Sequence, residues 1–233
     1  MDSLSSAIPA EPGLILQHGV DGPPGRLGEW LDERGIPYDV HRADEAPPPA
    51  DVVDRPWIAS LGSERSATLP APSWPADEVA ALRRAVAAGV PVLGLCFGGQ
   101  ALSLALGGAV HPSDPVEIGW IAVEPVDGTV PPGPWFQWHF ELLEVPPGGV
   151  ELARSPAGPA AFRLGPHLGT QFHPEVTPAI VRRWAELAGD GLPGITADEL
   201  NRQTAVHGGD AVRAQAFALF DAWWALRDQA VVA

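Results

Sequence analysis

Cys96 is the single cysteine among 233 residues, and it stands in the run GLCFGGQ, residues 94–100. The residues before it, PVLGLC from Pro91, are apolar on both faces, as a central parallel strand covered by helices must be. The residues after it, GGQALSLALGG from Gly98 to Gly108, read as a helix bracketed by glycines. A strand that enters a helix without a spacer crowds its Cβ atoms, and Gly94 and Gly98 are the residue type such a turn requires. The thiol then projects from the strand end toward the first N–H groups of the helix, which favour a thiolate and a developing oxyanion. The chemistry implied is nucleophilic attack on a carbonyl. The plainer alternative is a cysteine that only fills core volume.

A cysteine nucleophile needs a base, and the base needs a group that fixes its tautomer. GTQFHPEV, residues 169–176, places His173 at a strand end with Glu175 two residues later. Pro174 keeps the backbone between them extended, so both side chains face one side at the strand's carboxyl end. His18, His41, His111, His167 and His207 sit beside loop-forming residues and are expected to be structural or solvated. His139, in QWHFE, is either a core-edge residue or part of a pocket wall.

The elements that would position these residues alternate in type. Leu14–His18, Pro37–His41 and Trp57–Leu61 read as short strands, with helical spacing at 27–33 between the first two. Pro75, Asp77 and Glu78 mark a helix start, with the acids at the positive end of its dipole and Val79, Leu82 and Val86 as the apolar stripe. Beyond residue 108, short strands are expected at 120–126, 135–140, 150–153, 160–164 and 168–172. Helices are expected at 178–188, 197–203 and 209–227. The fold class is α/β: a doubly wound, mostly parallel, flavodoxin-like sheet flanked by helices, with a small antiparallel addition and C-terminal helices. We read residues 1–233 as one domain, with a core over 13–188 and a helical extension over 189–233. Phe217, Phe220, Trp223 and Trp224 are expected to cover the sheet or each other, with a homodimer contact as the alternative.

Composition removes several classes. The 14 basic residues are all Arg, so lysine Schiff bases, lysine nucleophiles and P-loop lysines are absent. A net charge of -15 disfavours nucleic acid and anionic membrane surfaces as partners. One cysteine allows no internal disulfide and no paired-cysteine zinc site, and neither a metal nor a cofactor is expected. The N-terminal MDSLSSAIPAEPG lacks a basic region before an apolar one, so the expectation is a soluble, cytoplasmic protein without a leader.

Together, GLCFGGQ and QFHPE resemble the class I glutamine amidotransferases, whose pattern GxCxGxQ is followed by HPE. The resemblance extends over residues 13–188 and implies a Cys96, His173, Glu175 triad. It implies an oxyanion hole built from the backbone N–H of Phe97 and from the turn at Gly62 and Ser63, where Ser63 replaces the family's second glycine. It places Gln100 near the substrate amide and His139 in the loop lining the glutamine pocket, although Trp138 and Glu141 depart from the family's Ser-His-x-Asp. The substrate implied is L-glutamine, and the ammonia would pass to a separate synthetase, since residues 189–233 are too few for an ATP-using module. Phe97 stands where a related cysteine-elbow superfamily carries His. The alternatives are a γ-glutamyl amide or peptide hydrolase and a non-catalytic regulatory module on the same fold.

Overall fold

The computed structural model describes residues 8–71 and 73–227. Nine strands form one sheet in the order β2-β1-β3-β4-β9-β8-β7-β5-β6. The five strands β1 (Gly13–Gln17), β2 (Tyr38–Arg42), β3 (Ile58–Ser60), β4 (Val92–Leu95) and β9 (His167–Thr170) run parallel. The other four, β5 (Val110–Pro125), β6 (Gly133–Leu143), β7 (Val150–Ser155) and β8 (Gly158–Leu164), are antiparallel. The antiparallel part is therefore nearly half the sheet, larger than the small addition expected. The difference arises mostly in β5, whose 16 residues include HPSDP. Its prolines cannot donate to a ladder, and the pairing with β6 shifts between Pro112 and Glu117. That bulge hides the first half of the strand, residues 110–119, from a reading of alternating residues, which finds only its second half.

Helices cover both faces. On one, α2 (Trp74–Ala87) and α3 (Phe97–Ala105) bury Leu82, Ala85, Phe97 and Leu102 against Leu14, Leu16, Ile58 and Val92. On the other, α1 (Gly25–Glu33) and α6 (Asp210–Arg227) pack on Ile15, Ala59 and Leu95. β1 thus sends alternate residues to opposite helical layers, as a central parallel strand does. Trp223 and Trp224 meet Trp57 edge to face, and Trp30 of α1 meets Trp224 in the same way. These rings and Phe220 are fully buried, so they belong to the sheet's own core and are not a dimer surface. Phe217 lies under the guanidinium of Arg213 at 4.1 Å. A third cluster joins the β5–β6 hairpin to α4 (Pro178–Ala188) and α5 (Ala197–His207) through Trp120, Phe136, Val181 and Leu200.

Candidate active site

β4 delivers Cys96 to the carboxyl edge of the sheet, and α3 begins at the next residue. Cys96 has φ 52° and ψ -106° and is the only non-glycine residue with positive φ among the described residues. Such a conformation costs about 1–3 kcal/mol and persists only where the surroundings impose it. The surroundings are backbone. A Cβ on Gly94 would lie 2.3 Å from the carbonyl oxygen of Gly98, and one on Gly98 would lie 2.0 Å from that of Ser60. Cys96 N–H donates to Thr170 O at 2.9 Å and Gly98 N–H to Leu61 O at 3.0 Å, tying the turn to both neighbouring strands. The N–H of Phe97 is the first of the helix and has no intrahelical carbonyl to reach.

β9 and the turn after it bring His173 to the same edge. Its Nδ1 lies 2.8 Å from Glu175 Oε1, with both side chains 3% exposed. The His173 N–H donates to Phe136 O at 2.8 Å, and the ring stands edge-on to Trp184 at 5.1 Å. Arg26 N–H at the start of α1 donates to Glu175 O at 2.8 Å, so the helix terminus fixes the carboxylate's backbone. A Cβ on Gly62 would come within 2.6 Å of His173 Cε1 and 3.8 Å of the Cβ of Cys96, so one point at the end of β3 touches both residues. Burial alone would discharge the His173 ring; the charge of Cys96, then that of Glu175, and the hydrogen bond to Glu175 hold its pKa well above 6.5. An imidazolium stabilised beside a cysteine sulfur and a carboxylate is the electrostatic arrangement for moving a proton between sulfur and ring.

A cavity of about 650 Å³ opens over this edge, and Gly62, Ser63, His173, Trp74, Trp138 and Trp184 are among the residues in its wall. Ser63 keeps an ordinary negative φ, so the replacement of a glycine there carries no backbone strain. Cys96 is 4% exposed and lies behind the cavity wall, with Sγ 3.7 Å from Trp138 O and 3.7 Å from Gln171 Nε2, Trp138 itself lining the cavity. Two other expected residues are not among those lining the cavity. Gln100 donates to Glu141 O at 2.9 Å and to Gln171 Oε1 at 3.4 Å, and it does not line the cavity. His139 faces away as well: its Nε2 lies 3.0 Å from the buried Glu117 Oε2, which also accepts from Ser155 Oγ. Alternation along β6 explains this, because Phe136 and Trp138 take the face toward His173 and leave Gln137 and His139 to the other.

Two residues of this edge are not evident in the sequence. His18, expected to be structural or solvated, has a fully buried side chain and lines the cavity after β1. Glu78, expected at the start of α2 beside the positive end of its dipole, is 0% exposed and meets His18 Nε2 at 2.6 Å and Ser60 Oγ at 2.6 Å. The available signal is spacing: Glu78 shares a helical face with Leu82 and Ala85, both buried. Among the described residues, no group of three or more His, Cys, Asp or Glu could hold a metal ion, and no helix is long and apolar enough to cross a membrane.

Comparison with known proteins agrees with this architecture. The family model "Glutamine amidotransferase class-I" matches residues 68–182. A solved glutamine amido transferase from Methylobacillus flagellatus superposes with TM-score 0.82 at 31% identity, covering 91% of this chain and 93% of that one. A glutamine amidotransferase structure from Thermotoga maritima gives TM-score 0.81 over 91% of this chain and 97% of that one, and at 23% identity it bears on the fold alone. The glutamine-hydrolysing GMP synthase of Aeropyrum pernix is 35% identical over 153 residues, which are 58% of this chain and 30% of that protein. The chain thus spans less than a third of the length of the curated relatives it matches. With the strained cysteine turn, the buried histidine and carboxylate beside it and a likeness over nine-tenths of its length to a solved amidotransferase, the chain belongs to the class I glutamine amidotransferase family.

Proposed function

We propose that this chain hydrolyses the side-chain amide of L-glutamine through Cys96, His173 and Glu175. The observation that carries the reading is the buried His173–Glu175 contact at 2.8 Å, with Cys96 and His173 both against Gly62. Sγ gives its proton to His173 and attacks the amide carbon, and the C=O electrons move onto oxygen. The N–H groups of Phe97 and of the Gly62–Ser63 turn stabilise that oxyanion. As the tetrahedral species collapses, the C–N bond breaks and His173 passes its proton to the departing nitrogen, leaving ammonia and a γ-glutamyl thioester. Water, deprotonated by His173, attacks the thioester; the C–S bond breaks, and glutamate and the starting thiol are restored. Glu175 holds the ring with Nε2 toward the sulfur throughout. The ammonia acceptor is a synthetase outside these 233 residues, a role that the names of the GMP synthase relatives support. A reducing, cytoplasmic setting belongs to this reading, because it keeps a free thiol available. Acid-quenched enzyme incubated with glutamine is expected to carry one γ-glutamyl group on the peptide containing Cys96. Turnover with the label on another residue, or with none, would overturn the assignment.

The cavity favours a second substrate class on the same triad. At about 650 Å³, with Trp74, Trp138 and Trp184 in its wall, it is in the range that holds drug-sized ligands and exceeds the needs of glutamine. A γ-glutamyl amide with an apolar or aromatic amine would place that amine against the indoles. A kcat/KM at least tenfold higher for γ-glutamyl anilides than for glutamine would assign the cavity to the leaving group. Equal or lower values would leave glutamine as the substrate.

A further inference from the structure

A second buried histidine and carboxylate lie directly behind the oxyanion turn. His18 Nδ1 is 3.1 Å from Gly62 O and His18 Nε2 is 2.6 Å from Glu78 Oε2. The other oxygen of Glu78 accepts from Ser60 Oγ at 2.6 Å. Both side chains are 0% exposed. The ring is clamped flat on Trp74 at 5.0 Å and edge-on to Phe97 at 4.8 Å. A carbonyl oxygen and a carboxylate both accept, so Nδ1 and Nε2 each carry a proton, and Glu78 stabilises the doubly protonated ring that donates to Gly62 O. A peptide is planar and trans, so fixing the oxygen of Gly62 also fixes the Ser63 N–H in the opposite direction.

We propose that His18, held by Glu78, is a positioning residue that sets the Gly62–Ser63 peptide so that its N–H serves the oxyanion. The proposal rests on the reading of this chain as an amide hydrolase and gives the turn its source of rigidity. The turn needs one. No strand continues past Ser60 to hold it in a ladder. His18 arises from β1 and Glu78 from α2, so two elements of the core reach the peptide from behind without touching the reacting atoms. Burying this pair is otherwise costly, and a well-packed apolar pair would serve stability at least as well. Trp74 and Phe97 add a stack that leaves the imidazole one orientation. Phe97 also supplies the other expected oxyanion donor, from its backbone N–H, while its ring packs on His18.

The test compares His18→Gln and Glu78→Gln with the parent protein by two rates at Cys96. Amide hydrolysis develops an oxyanion; alkylation by iodoacetamide displaces iodide and develops none. The proposal predicts that kcat for hydrolysis falls about 30- to 300-fold in both variants, the range for loss or misplacement of one oxyanion donor. KM and the alkylation rate should stay within about threefold of the parent values on the same reasoning. Unchanged hydrolysis, or hydrolysis and alkylation falling together, would overturn it. Imidazole 15N–1H spectra of the unmodified protein provide a readout independent of turnover and of how the variants fold. His18 Nδ1 should appear protonated with a downfield hydrogen-bonded proton, and an unprotonated Nδ1 would refute the proposal. A protonated, bonded Nδ1 in a protein that hydrolyses no amide would instead remove the hydrolase reading and leave the contact standing.

Discussion

At the scale of single residues, the account depends on charge placed beside sulfur. The charges of Cys96 and Glu175 outweigh burial and raise the pKa of His173 well above its ordinary value. Its folded pKa lies above the unfolded value, so its contribution to stability is complete below about pH 6.5 and is lost as pH rises through the folded value. Replacing Cys96 with Ser removes the larger of the two favourable charges, and NMR titration of the His173 Cε1 proton should show the pKa drop toward 6.5. No change on that substitution would separate the two residues. Glu175→Gln should lower kcat by about 10²- to 10⁴-fold with little change in KM, since the amide no longer enforces the tautomer. Gly62→Ala tests the crowding at this point: its Cβ would sit 2.6 Å from His173 Cε1, so activity should fall while the melting temperature moves little. Cys96, His173 and Glu175, which the fold brings to one sheet edge, are legible as candidates in the sequence because two short motifs carry them. His18 is not, because its partner Glu78 is 60 residues away and only the packing of α2 on the sheet brings them together.

At the scale of elements, the strand-to-helix turn is both the best-read feature and the most brittle. Glycines at 94 and 98 announce it, and the structure shows why: backbone atoms occupy the space where side chains would start. Gly98→Ala should therefore prevent folding or cost several kcal/mol, read as a loss of the cooperative melting transition. The parallel strands and their helices follow from runs and caps, including Ser73 and Thr177, whose side chains accept from Ala76 and Ile180. The antiparallel half is less legible, because bulges and prolines break the alternation that a strand normally shows. His167 at the start of β9 adds a stability limit of its own. Burial pushes its pKa down to about 4, and its Nδ1 is buried without a hydrogen-bond partner. The unfolded chain takes up this proton near pH 6.5 and the folded one does not, so stability should decline between about pH 6.5 and 4, by roughly 3 kcal/mol in all. In His167→Gln that decline should flatten in urea titrations across this range, and an unchanged slope would contradict the assignment.

At the scale of the whole molecule, the carboxyl ends of β1, β3, β4 and β9 converge on one edge, where open α/β sheets carry their sites. The C-terminal α6 is part of that assembly, because Trp223 and Trp224 fill the face opposite α2 and α3. Trp224→Ala should cost about 3–5 kcal/mol through the cavity it leaves, measurable by chemical denaturation. The charge of -15 at neutral pH lies on a chain with 14 basic residues, so a protein that docks on the active-site edge should be basic there, and its association should weaken as salt rises. The most direct measurement of the central claim is ammonia and glutamate release from L-glutamine by the purified protein beside Cys96→Ser, with γ-glutamyl amides assayed in parallel. The account predicts equimolar ammonia and glutamate from the parent protein, or the corresponding amine and glutamate from an amide, and loss of both in the variant. Turnover that survives in Cys96→Ser, or a parent protein inert toward every one of these amides, would contradict it.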